Sequence, residues 1–441
     1  MIMSFRMNIF QSGFAGLNVL LISMVCANAA EWKAEPSIYL KTLYNDNVRM
    51  RTDEDNPEAS TGVTVVPRIK LAAEEQYLWD MSLDTRGKIT RFQDIEDADS
   101  ENAFIDFDSG RKTELTEWRL NASFERNSTL DTDFDTKTPD LGLDDHTERT
   151  TASVSPSVRW DMSETSQISF GVSTTDVSYD EVTNLNFRDY DFNSVNFNAY
   201  WAVLEKHQLG FSSSYAEYES PEADFSYDQS VLQVNYTYTI SETSNIRLSV
   251  GGRKLDSTIT DATVACEANG VTVPVDDVSN TGVCPATIGN IFTGIFPVTP
   301  VLGDISNVEN GSVFDLTYSS QTETLSHSLT AGRTVSPSSF GGAQEILSAT
   351  YQLDIKNTER FSTNLILDAS DSETVSGVSS LNDRERYRFE PSITHKLTRN
   401  WALNVSYSYI KQTLSNTDQD STSNTLYVSL FLHWPKLATT Y

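Results

Sequence analysis

Arg384–Ser415 reads RERYRFEPSITHKLTRNWALNVSYSYIKQTLS. Tyr387, Phe389, Pro391 and Ile393 take alternate positions in its first half, and Leu403, Val405, Tyr407 and Tyr409 in its second. A period of two is that of extended chain, whose successive side chains point to opposite faces. The stretch is therefore a β-hairpin closed over the polar turn Thr398–Asn400. One face is apolar, with Trp401 beside the turn. The other carries Arg388, Ser392, Thr394, Asn404, Ser406 and Ser408, all polar and mostly small.

The same unit recurs along the chain. PSVRWDMSETSQISFGV (156–172), VNYTYTISETSNIRLSV (234–250) and PSITHKLTRNWALNVSY (391–407) align across the same short turn. Alternating runs centred on Leu40, Val65, Met81, Ile105, Leu120, Val158, Phe170, Phe197, Phe211, Tyr236, Leu248, Leu316, Leu329, Ala349, Leu365 and Val428, with the two strands of the opening hairpin, give about 18 strands (range about 16–20), each about 10–14 residues long. Short polar turns alternate with longer acidic stretches such as RTDEDNPEAS (51–60), QDIEDADSEN (93–102) and LDTDFDTKTPDLGLDDHTE (130–148). Tight turns at one end and long loops at the other are how up-and-down transmembrane barrels are built. The expected fold is all-β, an antiparallel up-and-down transmembrane β-barrel.

Residues 1–29 read as a signal peptide. Arg6 supplies the positive charge, an apolar core runs from about Phe14 to Val25, and Ala27-Asn28-Ala29 is a small-residue cleavage site. The apolar run falls short of the ~20 residues of a spanning helix. The barrel is then expected over 30–441. The formal net charge of −30 becomes one unit more negative once Arg6 leaves. So acidic a chain excludes nucleic acid as a partner, because phosphate binding needs a basic surface. Cys266 and Cys284 remain after cleavage, and an even pair in an exported chain points to a disulfide.

All seven tryptophans, Trp32, Trp79, Trp118, Trp160, Trp201, Trp401 and Trp434, fall on the apolar face next to the short turns. Indole prefers the headgroup level of a bilayer, so they are expected to form one membrane-interface girdle at the periplasmic end. Outer-membrane lipid and lipopolysaccharide are then partners, as is the outer-membrane assembly machinery. The opposite face would line a lumen. It is rich in Ser, Thr, Asn and Gly, suited to water and unsuited to a close-packed core. Charges on that face are Arg68, Lys70, Asp80, Asp84, Arg86, Asp106, Arg119, Arg159, Arg247, Arg253, Arg386, Arg388 and Glu390. They have two readings: paired rungs that hold neighbouring strands together, or a transverse field across a pore. Residues 256–311 break the rhythm and carry the apolar passage IGNIFTGIFPVTPVLG (288–303). They are expected as a long loop, either an external cap or an in-folded constriction.

The five histidines lack metal-ligand spacing, and the chain has no G-x-S-x-G, H-E-x-x-H, Walker or C-x-x-C-H motif. No catalytic, cofactor-binding or metal-binding residue is assigned. Asp144-Asp145-His146 could act as a general base, but the solvated acidic loop is the reading preferred. The acidic loops could hold divalent cations against lipopolysaccharide, or serve solvation alone.

Three stretches carry a family resemblance: PSIYLKTLYNDNVRM (36–50), VVPRIKLAAEEQYLWDMSL (65–83) and LSHSLTAGRTVSPSS (325–339). The chain resembles the outer-membrane β-barrel porins associated with exopolysaccharide and exosortase/PEP-CTERM systems. The resemblance implies a bacterial outer-membrane barrel that helps surface carbohydrate leave the cell, with polysaccharide-export components as partners. It carries over no catalytic residues. Two functions follow as expectations: a passive porin-like channel, or a non-conducting structural partner of such an export system. An outer-membrane hydrolase and a soluble secreted β-protein are the remaining alternatives. The last strand departs from the family pattern by stopping at Trp434-Pro435, which leaves KLATTY and its Tyr441 beyond it.

Overall fold

The computed structural model describes residues 31–52, 56–75, 78–132, 147–180, 187–268, 271–274, 299–338, 341–377, 383–415, 419–434 and 437–440. The signal segment, Cys284 and Asp144-Asp145-His146 lie outside them.

Each alternating run forms one strand. In chain order these are β1 (Glu31–Asn45), β2 (Ser60–Glu75), β3 (Trp79–Phe92), β4 (Ser100–Lys112), β5 (Thr116–Ser128), β6 (Glu148–Ser163), β7 (Ser166–Tyr179), β8 (Tyr190–Leu204), β9 (His207–Ser220), β10 (Phe225–Ser241) and β11 (Ser244–Ala268). A short β12 (Val271–Pro274) is followed by β13 (Thr299–Gln321), β14 (Leu325–Ser338), β15 (Gly342–Lys356), β16 (Phe361–Gly377), β17 (Arg384–Lys396), β18 (Trp401–Leu414), β19 (Gln419–His433) and a short β20 (Leu437–Thr440). Every long strand pairs antiparallel with its sequence neighbours, and β1 pairs with β19. Setting aside β12 and β20, the result is a closed antiparallel barrel of 18 strands. Closure removes the exposed edges an open sheet would leave. Following the paired positions once around returns to β1 displaced by about 22 residues, a stagger that tilts the strands by roughly 40°.

The seam is made in two pieces. β19 pairs with β1 from Ser37↔His433 to Asn45↔Thr425. β20 then resumes the pairing at Ala34↔Leu437 and runs to Glu31↔Thr440, one residue out of step. KLATTY is therefore not a free tail: four of its residues rejoin β1 beyond the proline. Side chains clamp the seam near both ends of the β1–β19 ladder. The Tyr39 hydroxyl donates to Ser429 Oγ (2.6 Å), Ser423 Oγ to Asn45 Oδ1 (2.8 Å), and Asn424 Nδ2 to Asp46 Oδ2 (2.8 Å).

Two expectations need correction. The strands are longer than the alternation suggested, 13 to 17 residues for most, 25 in β11 and 23 in β13. Residues 256–311 are not simply a loop. Residues 256–268 and 299–311 are the outer parts of β11 and β13, and they pair with each other as far as Glu267↔Thr299. Cys266 is fully buried and disulfide-bonded. The sequence hides this ladder because Asp, Glu, Asn and Gly interrupt its apolar period; outside an apolar surround nothing requires that period to persist.

Candidate lumenal pathway

Residues paired across a ladder share a face, so one assignment fixes the whole wall. Ile38 and Leu40 are exposed and point outward, and the ladder carries that face to Ile69, Ile105, Trp118, Val154, Phe170, Phe197, Val234, Val250, Leu367, Phe389, Val405 and Val428, all exposed. The outside is thus an apolar band. Trp118, Trp160, Trp201 and Trp401 stand on it beside the short turns, and Trp32, Trp79 and Trp434 lie at the same end. Towards the long-loop end the band gives way to paired charges: Arg91 with Glu101, Arg126 with Glu148, Lys254 with Asp256 (2.5 Å) and Lys411 with Asp420 (2.8 Å).

The inner face has the opposite character. Ser123 and Ser153, and Ser155 and Ser173, share hydrogen bonds of 2.8 Å across neighbouring strands, and Asn235 Nδ2 donates to Ser212 Oγ at 3.2 Å. All thirteen charges expected to line the lumen lie on this face by register. At least nine of them form charge pairs. Arg68 donates from Nε to Asp84 (2.8 Å), Arg86 stands 3.9 Å from Asp106, and Arg119 reaches Asp80 (4.0 Å), Asp108 (3.1 Å) and Glu117 (2.9 Å). Arg159 adds Glu117 (3.2 Å) and Asp161 (3.3 Å), and Arg388 donates to Asp368 (2.6 Å). Most of these pairs join neighbouring strands across the inner face. Apart from Arg388–Asp368, whose carboxylate is buried, pairs this exposed contribute only about 0–1 kcal/mol each, so they fix register and local field more than stability.

Of the remainder, Lys70 lines a niche of about 260 Å³ with Ser82, Asp84, Asp106, Asp108 and Asn121. Arg247 lies opposite Thr237 and Thr317, Arg386 opposite Gln412, and Glu390 opposite Ile366. Sequence reasoning passed over Lys41, Asp108, Glu117, Asp161, Glu309 and Asp368. Their signal was available, since each stands an even number of residues from another inward position. Lys41 lies over the Tyr427 ring, 3.6 Å from its centroid.

At the long-loop end the wall divides. The β13–β14 ladder stops at Phe314↔Arg333, although both strands continue. Beyond that point β13 stays with β11, while the ends of β14, β15 and β16 tuck inside. Their nominally outward residues Val335, Ala343 and Val375 pack on the inward face of β9–β11, against Tyr218, Phe225, Tyr227, Leu255 and Ile259. The Tyr218 and Tyr227 rings stack at 4.9 Å. Tyr218 donates to the carbonyl of Ser338 (3.3 Å), and Ser376 Oγ lies 2.6 Å from Ser257 Oγ.

Arg253 anchors this overlap. It is 4% exposed and reaches both Glu309 (2.9 Å) and Glu345 (2.6 Å), and Glu345 also binds Arg333. Gly311 makes the slot: a Cβ there would lie 2.6 Å from Arg253 Nε. At the hairpin tip Gly341 has φ +76°, and a Cβ would meet Ala223 at 2.4 Å, so only glycine fits. The inward packing seen here is made by β14–β16; residues 275–298, which carry most of the apolar passage expected as a cap or a constriction, lie outside the described residues. Glu345 and Arg333 could not be found from sequence, because their period places them outside.

The sequence matches no protein-family profile and no curated relative. Among solved structures it is similar to a BenF-like porin from Pseudomonas fluorescens Pf-5 (9% identity, TM-score 0.42, covering 91% of this chain and 99% of that one). It is also similar to OccK2 (OpdF) from Pseudomonas aeruginosa in complex with glucuronate (10%, 0.43, 92% and 98%). A third is the ferric-catecholate import receptor Fiu from E. coli K12 (8%, 0.44, 90% and 81%). At such scores the likeness adds nothing to the barrel that the strand ladder already defines.

Proposed function

We propose that the chain is a passive, water-filled channel spanning the outer membrane of a Gram-negative bacterium. The observation that carries this reading is the inverted polarity of the wall: apolar side chains outside, and Ser, Thr, Asn and charged rungs inside, around the whole circumference. A soluble barrel would reverse this to bury its apolar surface, whereas a lipid surround requires it. The tryptophans then form the periplasmic girdle, and the paired charges at the other end stand in the headgroup and lipopolysaccharide layer. Lipid, lipopolysaccharide and the outer-membrane assembly machinery are the partners this reading requires. Transport is diffusion of small polar solutes, with no chemical step. Basic and acidic groups face the lumen in comparable number, so the wall itself favours neither sign, and any cation preference comes from the acidic loops.

The resemblance in the first strands supports a finer role in export of surface carbohydrate. The tucked ends of β14–β16 favour the second reading, a barrel that is closed at rest and works as a partner of export machinery. Single-channel recording in planar bilayers separates the two. Steady ohmic current from the folded barrel supports the pore, and its absence supports the closed partner.

A further inference from the structure

We propose that the outer ends of β14, β15 and β16 form a flap with two positions: the inner one seen here, and one in the barrel wall, zipped onto β13. The gating consequence rests on the pore reading; the motion does not.

Both positions are written into the strands. β13 continues to Thr299 and β14 to Ser338, but their ladder ends at Phe314↔Arg333. Extending the same register would set Val313 against Thr334 and Glu309 against Ser338. The facing edges thus carry ladder positions that are unused among the described residues. Gly332 sits where the strands part, between Asp315 and Ser348, and glycine tolerates the change of direction a hinge requires.

The inner position is held by a packed but incompletely satisfied interface. Arg253 bonds two carboxylates, yet its Nε and Nη1 have no hydrogen-bond partner. Buried polar groups left unpaired cost free energy, which lowers the advantage of the inner state. The wall position would return Glu345 to the outer face, leave Arg253 with Glu309, and exchange apolar packing for backbone pairing. Pro337 has no N–H to offer, so that added ladder is weaker than a regular one. Two packings of one segment separated by a small free energy are what a switch needs.

Paired cysteines test both positions in the full-length barrel, reconstituted in phospholipid vesicles and checked for heat-modifiable gel mobility. Ser257→Cys with Ser376→Cys reports the inner position, and Ser312→Cys with Val335→Cys are directly opposite only in the zipped register. Under mild oxidation the inner pair should cross-link in most molecules and the outer pair in a minority. Adding Glu345→Gln should raise the outer cross-linking rate at least threefold and slow the inner one. Arg253→Lys replaces it if that variant does not fold. An outer pair that fails to cross-link in either background would overturn the flap. Cross-linking at both pairs with no current in any state would keep the flap and overturn the pore.

Discussion

Replacing Val405 with arginine tests which side of the wall meets lipid. Val405 lies midway along the outward run Trp401, Leu403, Val405, Tyr407 and Tyr409 of β18, and is exposed when no lipid covers it. Eight steps of about 3.3 Å, tilted by roughly 40°, make this run about 20 Å tall, so Val405 sits about 10 Å from either edge. Arginine at such a depth on a lipid-facing strand costs about 2–4 kcal/mol, or roughly 30- to 1,000-fold in the folding equilibrium. The matched control is Ser392→Arg. Ser392 pairs with Ser406, the neighbour of Val405, and faces the lumen at the same height. A new arginine there meets water and Glu390, and its cost should stay within about 0.5 kcal/mol. Urea-dependent folding into phospholipid vesicles, followed by tryptophan fluorescence and gel mobility, reads both. Equal costs, or a harmless Val405→Arg, would refute the membrane reading. If Ser392→Arg were the costlier change, the interior would be a packed core and the barrel soluble.

Gly341→Ala should undock the β14–β15 tip, because it forces a side chain into the left-handed region, about 1–2 kcal/mol, and against Ala223. Faster proteolysis within 333–345, with gel mobility of the barrel unchanged, checks it. Arg388→Gln should destabilise the barrel by about 2–3 kcal/mol by stranding Asp368, which is only 9% exposed; the urea midpoint measures this. Arg68→Gln frees Asp84 in the lumen, and the reversal potential under a salt gradient should move towards cation selectivity. Trp118, the most exposed of the girdle at 58%, should be quenched more by lipids brominated near the headgroup than by those brominated at the chain end.

Strand positions, the inward face and the end at which the tryptophans gather could all be read in the sequence because, in the proposed membrane setting, a wall between oil and water forces a period of two. Phe389, Ile393 and Val405 could not occupy the other face without charging the lipid or exposing carbon to the lumen. That constraint fades beyond the apolar band. Residues 256–268 and 299–311 pair through two register shifts, at Ile259/Ala262 and Thr263/Ala265, yet their composition looks like loop. At 333–345 the period misleads, since Arg333 and Glu345 keep outward parity while the strands that carry them turn inside. Pairing depends on backbone geometry, which local composition reports only where solvent enforces it. The partners of Arg119 and Arg159 were within reach, two residues from positions already assigned; of Arg253's two partners Glu309 keeps inward parity and was legible, whereas Glu345 was not.

The seam between β1 and β19 also bears on how the barrel is made. Its partners stand 390 residues apart at Tyr39 and Ser429, whereas every other wall ladder joins neighbours in the chain. The hairpins can therefore form locally and early, while this join must wait for the whole polypeptide. Until then the first and last strands both expose raw edges, so a truncated chain lacking β19 and β20 is expected to aggregate or be degraded rather than persist as a smaller barrel. The distance itself is a minor obstacle, because loop-closure entropy grows only with the logarithm of length. The greater hazard is joining in the wrong register. The clamps at Asn45, Asp46 and Ser423 reject slipped alignments, so the join acts as a final proofreading step on an otherwise finished wall.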